Sequence, residues 1–433
     1  MKIKITSLVI ISLLSVNSLF AQTNHDLAKS IEQNRDFKLV KEKAQAIIKT
    51  GFNAGDGYIQ VWIRDMNTFI ELAMDENPKE VENALLVFFK LQAEDGNILD
   101  GYTPAKDKKP FTKKKDCVNT ALAPDYCGHK NTVATDQETS LIQAVYKYVT
   151  KTGNTQFLQT KVGELTVAQR MEMAMVYLMK HKWTEKYGLI IGAATADWGD
   201  VQQSGFSGVD ISKKTKFCAD VYDNAMMIIA LKNMIEILPQ TKNKWQPICD
   251  SIAQNTMKYL WDNKNQKFIP HLYLDGSPYP ASFDENKIFY HGGTAVAIEA
   301  GLLSKEQILV SLQKMKANVK ESGAASIGLT LYPVYPKWAF ENPGLTPWQY
   351  QNGGDWTWFG GRMIQQLVRF GFVEDAYECL LPMTARAAKN NGFYEWYTKE
   401  NNPRGSGTFR GEAGVLYKSI TMLEEWSRMQ IKN

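Results

Sequence analysis

Residues 194–201 read ATADWGDV and continue the apolar run YGLIIGAA, so two acids, Asp197 and Asp200, flank Trp198 and Gly199. A carboxyl group pressed against an indole has a poorly solvated anion, and poor solvation raises its proton affinity. Such a group can donate a proton. A second acid in an aromatic setting lies far along the chain. GFYEWYTKENN holds Glu395 between Tyr394 and Trp396, with Glu400 close behind. One protonated acid and one ionised acid on opposite faces of a sugar ring are the usual means of hydrolysing a glycosidic bond. The DWGD segment is therefore expected to supply the general acid and Glu395 the general base, with Glu400 as the substitute. Glu412, in FRGEAG, is a third candidate, but it fits a helix start at least as well, since the helix dipole favours a carboxylate there.

The surrounding composition suits a sugar. Trp62, Trp198, Trp348, Trp356, Trp358 and Trp396 all fall in polar, glycine-rich stretches that also carry Asp56, Asp65, Asp355 and the acids above. The C–H face of a pyranose stacks on an indole, while its hydroxyls need charged or amide partners. A single tryptophan suits a core equally well; the grouping is what points to ligand contact. YIQVWIRDMNTF places Arg64 and Asp65 together at an expected helix start, where they could hold hydroxyls of the sugar. The plainer reading of Asp65 is an acid favoured by the helix dipole.

These loops need a scaffold, and the recurrent signal along the chain is helical. Apolar residues return at three- and four-residue steps in 80–92, 136–153 and 167–183, and in many later segments. About a dozen helices are expected. Strand-like alternation is short and scarce, as in KFIPHLYL. Short connections alternate with long Gly-, Trp- and Asp-rich ones. That pattern fits helical hairpins arranged in a ring with the long loops gathered at one end, an all-α (α/α)6 toroid, with loops that carry function on a rigid frame. An irregular helical bundle or solenoid is the alternative. No linker interrupts the chain, so residues 22–433 are read as one catalytic domain.

The N-terminus, MKIKITSLVIISLLSVNSLFAQTN, has a basic start, a short apolar core and small residues at Ser18 and Ala21. It reads as a cleavable signal peptide over residues 1–21, so the mature protein is expected to be secreted or periplasmic. A net charge of +4 with dispersed lysines and acids gives no nucleic-acid surface. The basic run at 106–116 reads as a solvated loop. Of five cysteines, Cys117 and Cys127 could pair in an oxidising compartment, and Cys218, Cys249 and Cys379 sit in apolar surroundings as buried thiols. The histidines and cysteines show no metal-ligand spacing. Neither metal nor cofactor is expected. The partner is an oligosaccharide or polysaccharide substrate, with no membrane span, and a monomer is anticipated.

The order of these motifs resembles the six-hairpin (α/α)6 glycosidase superfamily. VWIRDMNTFIELAMDENPKEVENALLVFFKLQAEDGNI is similar to the W-x-R-D helix of the glucosidase domain of glycogen-debranching enzymes, and DQETSLIQAVYKYVTKTGNTQFL to their next hairpin. ADWGDV resembles the GDWNDG acid loop of cellobiose-phosphorylase-type enzymes, with Gly199 in place of asparagine. NGGDWTWFGG resembles an NG-x-x-W-P-W segment, without its proline and with Asp355 added. The resemblance runs from about Gly51 to Trp426. It implies Asp200 as the general acid, with Asp197 binding substrate or supporting it, and Glu395 as the general base. It also implies Arg64 and Asp65 as sugar-binding positions and Trp356 and Trp358 as an aromatic wall; Trp62, Trp198, Asp355 and Trp396 are expected substrate contacts from the composition of their loops alone. The function expected is an inverting glycoside hydrolase of α-glucosidase type. A phosphorylase, an α-mannosidase, a polysaccharide lyase on the same fold and a non-catalytic carbohydrate-binding protein are the alternatives.

Overall fold

The computed structural model describes residues 24–107 and 117–432. The expected signal segment and most of the basic run at 106–116 lie outside them. After a short helix at residues 24–32 come α1 (Arg35–Ile48), α2 (Ile63–Glu76), α3 (Pro78–Lys90), α4 (Gln137–Thr152), α5 (Val167–His181) and α6 (Val221–Ile237). They are followed by α7 (Lys242–Leu260), α8 (His291–Glu299), α9 (Lys305–Ser322), α10 (Thr357–Arg369), α11 (Val373–Lys389) and α12 (Arg410–Lys432).

The even-numbered helices form an inner ring. α2 packs on α4, α4 on α6, α6 on α8, α8 on α10, α10 on α12, and α12 returns to α2. The odd-numbered helices lie outside. This is an (α/α)6 toroid, and the division follows from the sequence. α6 is buried on all sides over its first three turns, in an unbroken and mostly apolar run from Val221 to Leu231, as a helix segment enclosed by its neighbours must be. Its outer partner α7 buries only a stripe, Trp245, Cys249, Ile252, Thr256 and Leu260, at steps of three and four. Helix ends carry their own signals. Thr166 with Gln169, and Ser304 with Gln307, form capping boxes at the starts of α5 and α9. Gly153 and Gly323 take left-handed conformations to close α4 and α9.

Short strand pairs stiffen the loops at one end of the ring. Val61–Trp62 pairs with Gly101–Pro104, which pairs with Tyr126–His129. Leu272–Tyr273, from the KFIPHLYL segment, pairs with Phe217–Ala219. Cys117 and Cys127 are joined by a disulfide, and Cys218, Cys249 and Cys379 are buried free thiols. Among the described residues no helix is long and apolar enough to cross a membrane.

Candidate active site

The loops entering the inner helices meet at one mouth of the toroid, so the N-terminal ends of those helices converge there. Their dipoles favour negative charge, and the mouth is rich in acids. Asp65 lies in the first turn of α2, Asp136 stands just before the first residue of α4 and Glu412 sits in the first turn of α12. A cavity in this mouth is lined by Arg64, Asp65, Asp100, Asp200 and Glu395, and by an aromatic set that includes Trp62, Trp198, Trp356 and Trp358.

Asp200 reaches this cavity through a closed loop. Thr195 bridges Gln202 across its base. Asp197 adopts a left-handed conformation at φ 52°, which turns its side chain down onto the start of α8. There it accepts hydrogen bonds from the Gly292 and Gly293 amides at 2.6 and 2.7 Å. Burial pushes its pKa up to about 8 against the pull of those two amides. Asp197 thus anchors the acid loop to an inner helix and does not line the cavity. Trp198 also turns inward. It stacks on Phe359 at 4.4 Å and packs edge-on against Trp356 at 4.8 Å.

Asp200 is left facing the cavity with 29% of its side chain accessible. Gln351 Nε2 donates to Asp200 Oδ1 at 2.8 Å, and Arg64 Nη1 lies 3.8 Å from Oδ2. Asn131 Nδ2 holds the Asp200 carbonyl at 3.0 Å. Here the structure departs from the sequence reading: the neighbouring indole packs beneath the loop and does not enclose the Asp200 carboxyl. Gly199 has its own reason. A Cβ there would come within 2.6 Å of Gln351 Oε1, so the asparagine of the resembled motif would displace the residue that holds Asp200.

Arg64 is fixed by Asp136, which takes its Nε and Nη2 at 2.6 and 2.8 Å and also accepts from the Tyr222 hydroxyl at 2.6 Å. Burial works to raise the Asp136 pKa, but Arg64 and Tyr222 hold it below the usual carboxylate range. Asp65, beside Arg64, is 4% exposed, and its Oδ1 has no partner. Burial drives its proton affinity well up. Asp100 shares the cavity, and burial pushes its pKa up to about 7.

Glu395 comes from the last long loop. Its amide bonds the Ser406 carbonyl at 3.1 Å, and the Tyr58 hydroxyl donates to Oε2 at 2.6 Å. Burial raises its pKa, and the Tyr58 bond lowers it; burial prevails. Gly405, at φ 71°, lies so close that a Cβ would strike the Glu395 carboxylate.

Other acids and tryptophans singled out from sequence sit elsewhere. Glu400 is exposed. Glu412 is buried and bonded by the Thr357 hydroxyl at 2.6 Å, with its pKa pushed up to about 7 by burial. Asp355 is fully buried, paired with Arg386 Nη2 at 2.8 Å and bonded by Ser326. Trp396 packs edge-on against Tyr350. None of these four lines the cavity. Trp356 and Trp358 line it at only 2% and 4% exposure, and Trp62 is half-buried. Asp100, Tyr350, Gln351 and Phe409 line the cavity without having been marked from sequence, and Tyr58 supports it. An acid following GNIL and a glutamine in WQYQNGG carry no local sign of such a role. A larger cavity opens at the opposite end, between Glu71, Lys147, Glu299 and Lys418, where Lys418 pairs with Glu71 at 2.7 Å.

The fold recurs in solved structures. GH63 mannosylglycerate hydrolase from Thermus thermophilus, in complex with Tris and D-glycerate, superimposes with a TM-score of 0.63 at 13% identity, over 88% of this chain and 99% of that one. The same enzyme in complex with glucose gives 0.63 at 14% identity, over 88% and 100%. A rhamnosidase from Klebsiella oxytoca with rhamnose bound gives 0.57 at 10% identity, over 89% of this chain and 63% of that one. Among curated protein sequences, none matches this chain. Residues 37–359 match the model of the glycosyl hydrolase 94 superfamily, catalytic domain, and the chain belongs to that family.

Proposed function

We propose that the protein is an inverting glycoside hydrolase in which Asp200 protonates the departing oxygen and Glu395 activates water on the other face of the ring. The observation that carries this reading is the presence of both carboxyl groups in one cavity, on loops from opposite parts of the chain, each held by side-chain donors: Gln351 on Asp200, Tyr58 and Tyr350 on Glu395. Asp65, Asp100 and the free side of Arg64 are placed to bind hydroxyls of the sugar.

The charge balance favours hydrolysis over phosphorolysis or uronate cleavage. The cavity holds four carboxyl groups and a single cation, Arg64, and two of that guanidinium's nitrogens are committed to Asp136. A phosphate dianion or a uronate would find only Arg64 to pair with among the described residues that line the cavity. An α-glucoside is the first substrate to try. α-Mannosides come next, since a structural neighbour is a mannosylglycerate hydrolase.

A second reading exchanges the two roles, because Glu395 is the more buried acid and its pKa is raised. One experiment separates them. Hydrolysis of glucosides and mannosides is followed by NMR, with and without inorganic phosphate, in the wild type, Asp200→Asn and Glu395→Gln. A glycosyl fluoride, which needs little protonation to depart, is included. The first reading expects inversion, no dependence on phosphate, and activity on the fluoride retained by Asp200→Asn but lost in Glu395→Gln. The reverse pattern assigns the roles the other way. Activity on the natural linkage surviving in both variants places the chemistry elsewhere.

A further inference from the structure

Two large aromatic side chains stand out in water beside the acid loop. Phe206 is 79% exposed and Trp338 is 56% exposed. A soluble protein gains nothing in stability from presenting such rings to solvent. Phe206 lies on the continuation of the acid loop, which the Gln202 amide closes by bonding the Gly208 carbonyl at 2.9 Å. Trp338 lies on the segment before α10, where it packs against Phe283 at 5.2 Å and Tyr279 at 5.8 Å.

The two segments are tied together. The Glu341 amide donates to the Gln203 carbonyl at 2.8 Å, the Gly205 amide to Glu341 Oε2 at 2.5 Å, and Asn342 Nδ2 to the Ser207 carbonyl at 3.0 Å. Gln203 also bonds the Tyr279 hydroxyl. Beneath them is a small apolar cluster separate from the main core. It includes Val201, next to Asp200, and Tyr335, and Tyr350 of the cavity wall packs against it. The exposed rings therefore belong to a lobe that is continuous with the cavity on the Asp200 side.

We propose that this lobe is a binding platform for the leaving-group portion of the substrate, a neutral chain of sugar units extending past the bond that is cleaved. The inference rests on Asp200 being the proton donor. The group that receives the proton departs on the side of the donor, so whatever flanks the Asp200 loop faces the departing part. Aromatic faces with amide and hydroxyl groups around them, Gln203, Ser204 and Ser207, suit the alternating C–H and O–H surfaces of a neutral saccharide. The enzyme would accordingly favour oligosaccharides over glycosides with a small leaving group.

The test compares kcat/KM for a series of oligosaccharides of increasing length with that for the matching glycosyl fluoride, in the wild type and in Phe206→Ala, Trp338→Ala and the double variant. Phe206 is so exposed that its replacement leaves the fold intact. The ratio of long substrate to fluoride is expected to rise with length in the wild type and to fall by roughly five- to tenfold for each ring removed, the scale of a lost stacking contact. A ratio that is independent of length, or equal in wild type and variants, overturns the platform while leaving the hydrolase reading in place. Failure to cleave any member of the series, fluoride included, overturns the hydrolase reading and the platform with it.

Discussion

Gln351 donates its amide N–H to Asp200 Oδ1 at 2.8 Å across 151 residues of chain, while its own Oε1 is buried without a partner. The side chain is thus spent on orienting one carboxyl group, in a pocket made possible by Gly199. Replacing it by leucine removes the donor without opening a void. A hydrogen bond to a charged or reacting group is worth about 1.5–3 kcal/mol, so kcat is expected to fall by about ten- to a hundredfold with KM little changed. Steady-state kinetics on folded Gln351→Leu check this. An unchanged kcat removes Asp200 from the chemistry or Gln351 from its support.

Tyr58 plays the matching part for Glu395, and its effect is read through pH. A general base works only when ionised, so activity falls as pH drops through its pKa. Burial raises that pKa and the Tyr58 hydrogen bond lowers it. Tyr58→Phe deletes the first of the lowering contributions and leaves those of the Ser406 backbone and Tyr350. The acidic limb of the kcat/KM profile is expected to move to higher pH, with the rate on the plateau largely kept. A limb that stays in place, or moves to lower pH, contradicts the assignment of Glu395 as base.

Asp197 is expected to act on stability as well as on rate. Its two oxygens satisfy the first amides of α8, and those amides have no replacement acceptor if the side chain is cut to alanine. Asp197→Ala should cost about 2 kcal/mol in urea unfolding, at the upper end for a helix cap. It should also lower kcat, because the acid loop loses its anchor. Asp197→Asn, which keeps an acceptor, should recover part of both.

Arg386 and Asp355 are both enclosed, at 2% and 0% exposure, and Arg386 also bonds the Thr357 hydroxyl at the start of α10. Removing one partner of a buried pair strands the other. Arg386→Met is therefore expected to destabilise the fold by about 3–5 kcal/mol in denaturant titration. Asp355 does not line the cavity, so substrate affinity in the variant that remains folded should change little. A large rise in KM without loss of stability would return Asp355 to the sugar-binding set.

The sequence by itself determined the ring and the composition of its mouth. Helix period, caps and the contrast between mostly apolar and striped segments are local properties, written within one or two turns. They separate α6 from α7 without any knowledge of their neighbours. The segments DWGD and FYEW, which the notable acids share with aromatic residues, were likewise legible. Only the tertiary structure decided which acid of each pair faces the cavity. Asp197 and Asp200 lie three residues apart in one short segment. What sends the first inward is a pair of free amides on Gly292 and Gly293, 95 and 96 residues away, met through a left-handed turn. Tyr58 finds Glu395 across 337 residues, and Asp100 enters the site because the strand that follows it pairs with Val61–Trp62. A hydrogen bond between side chains depends on positions in space to within a few tenths of an ångström. Distant helices set those positions by packing, and no periodicity along the chain records them.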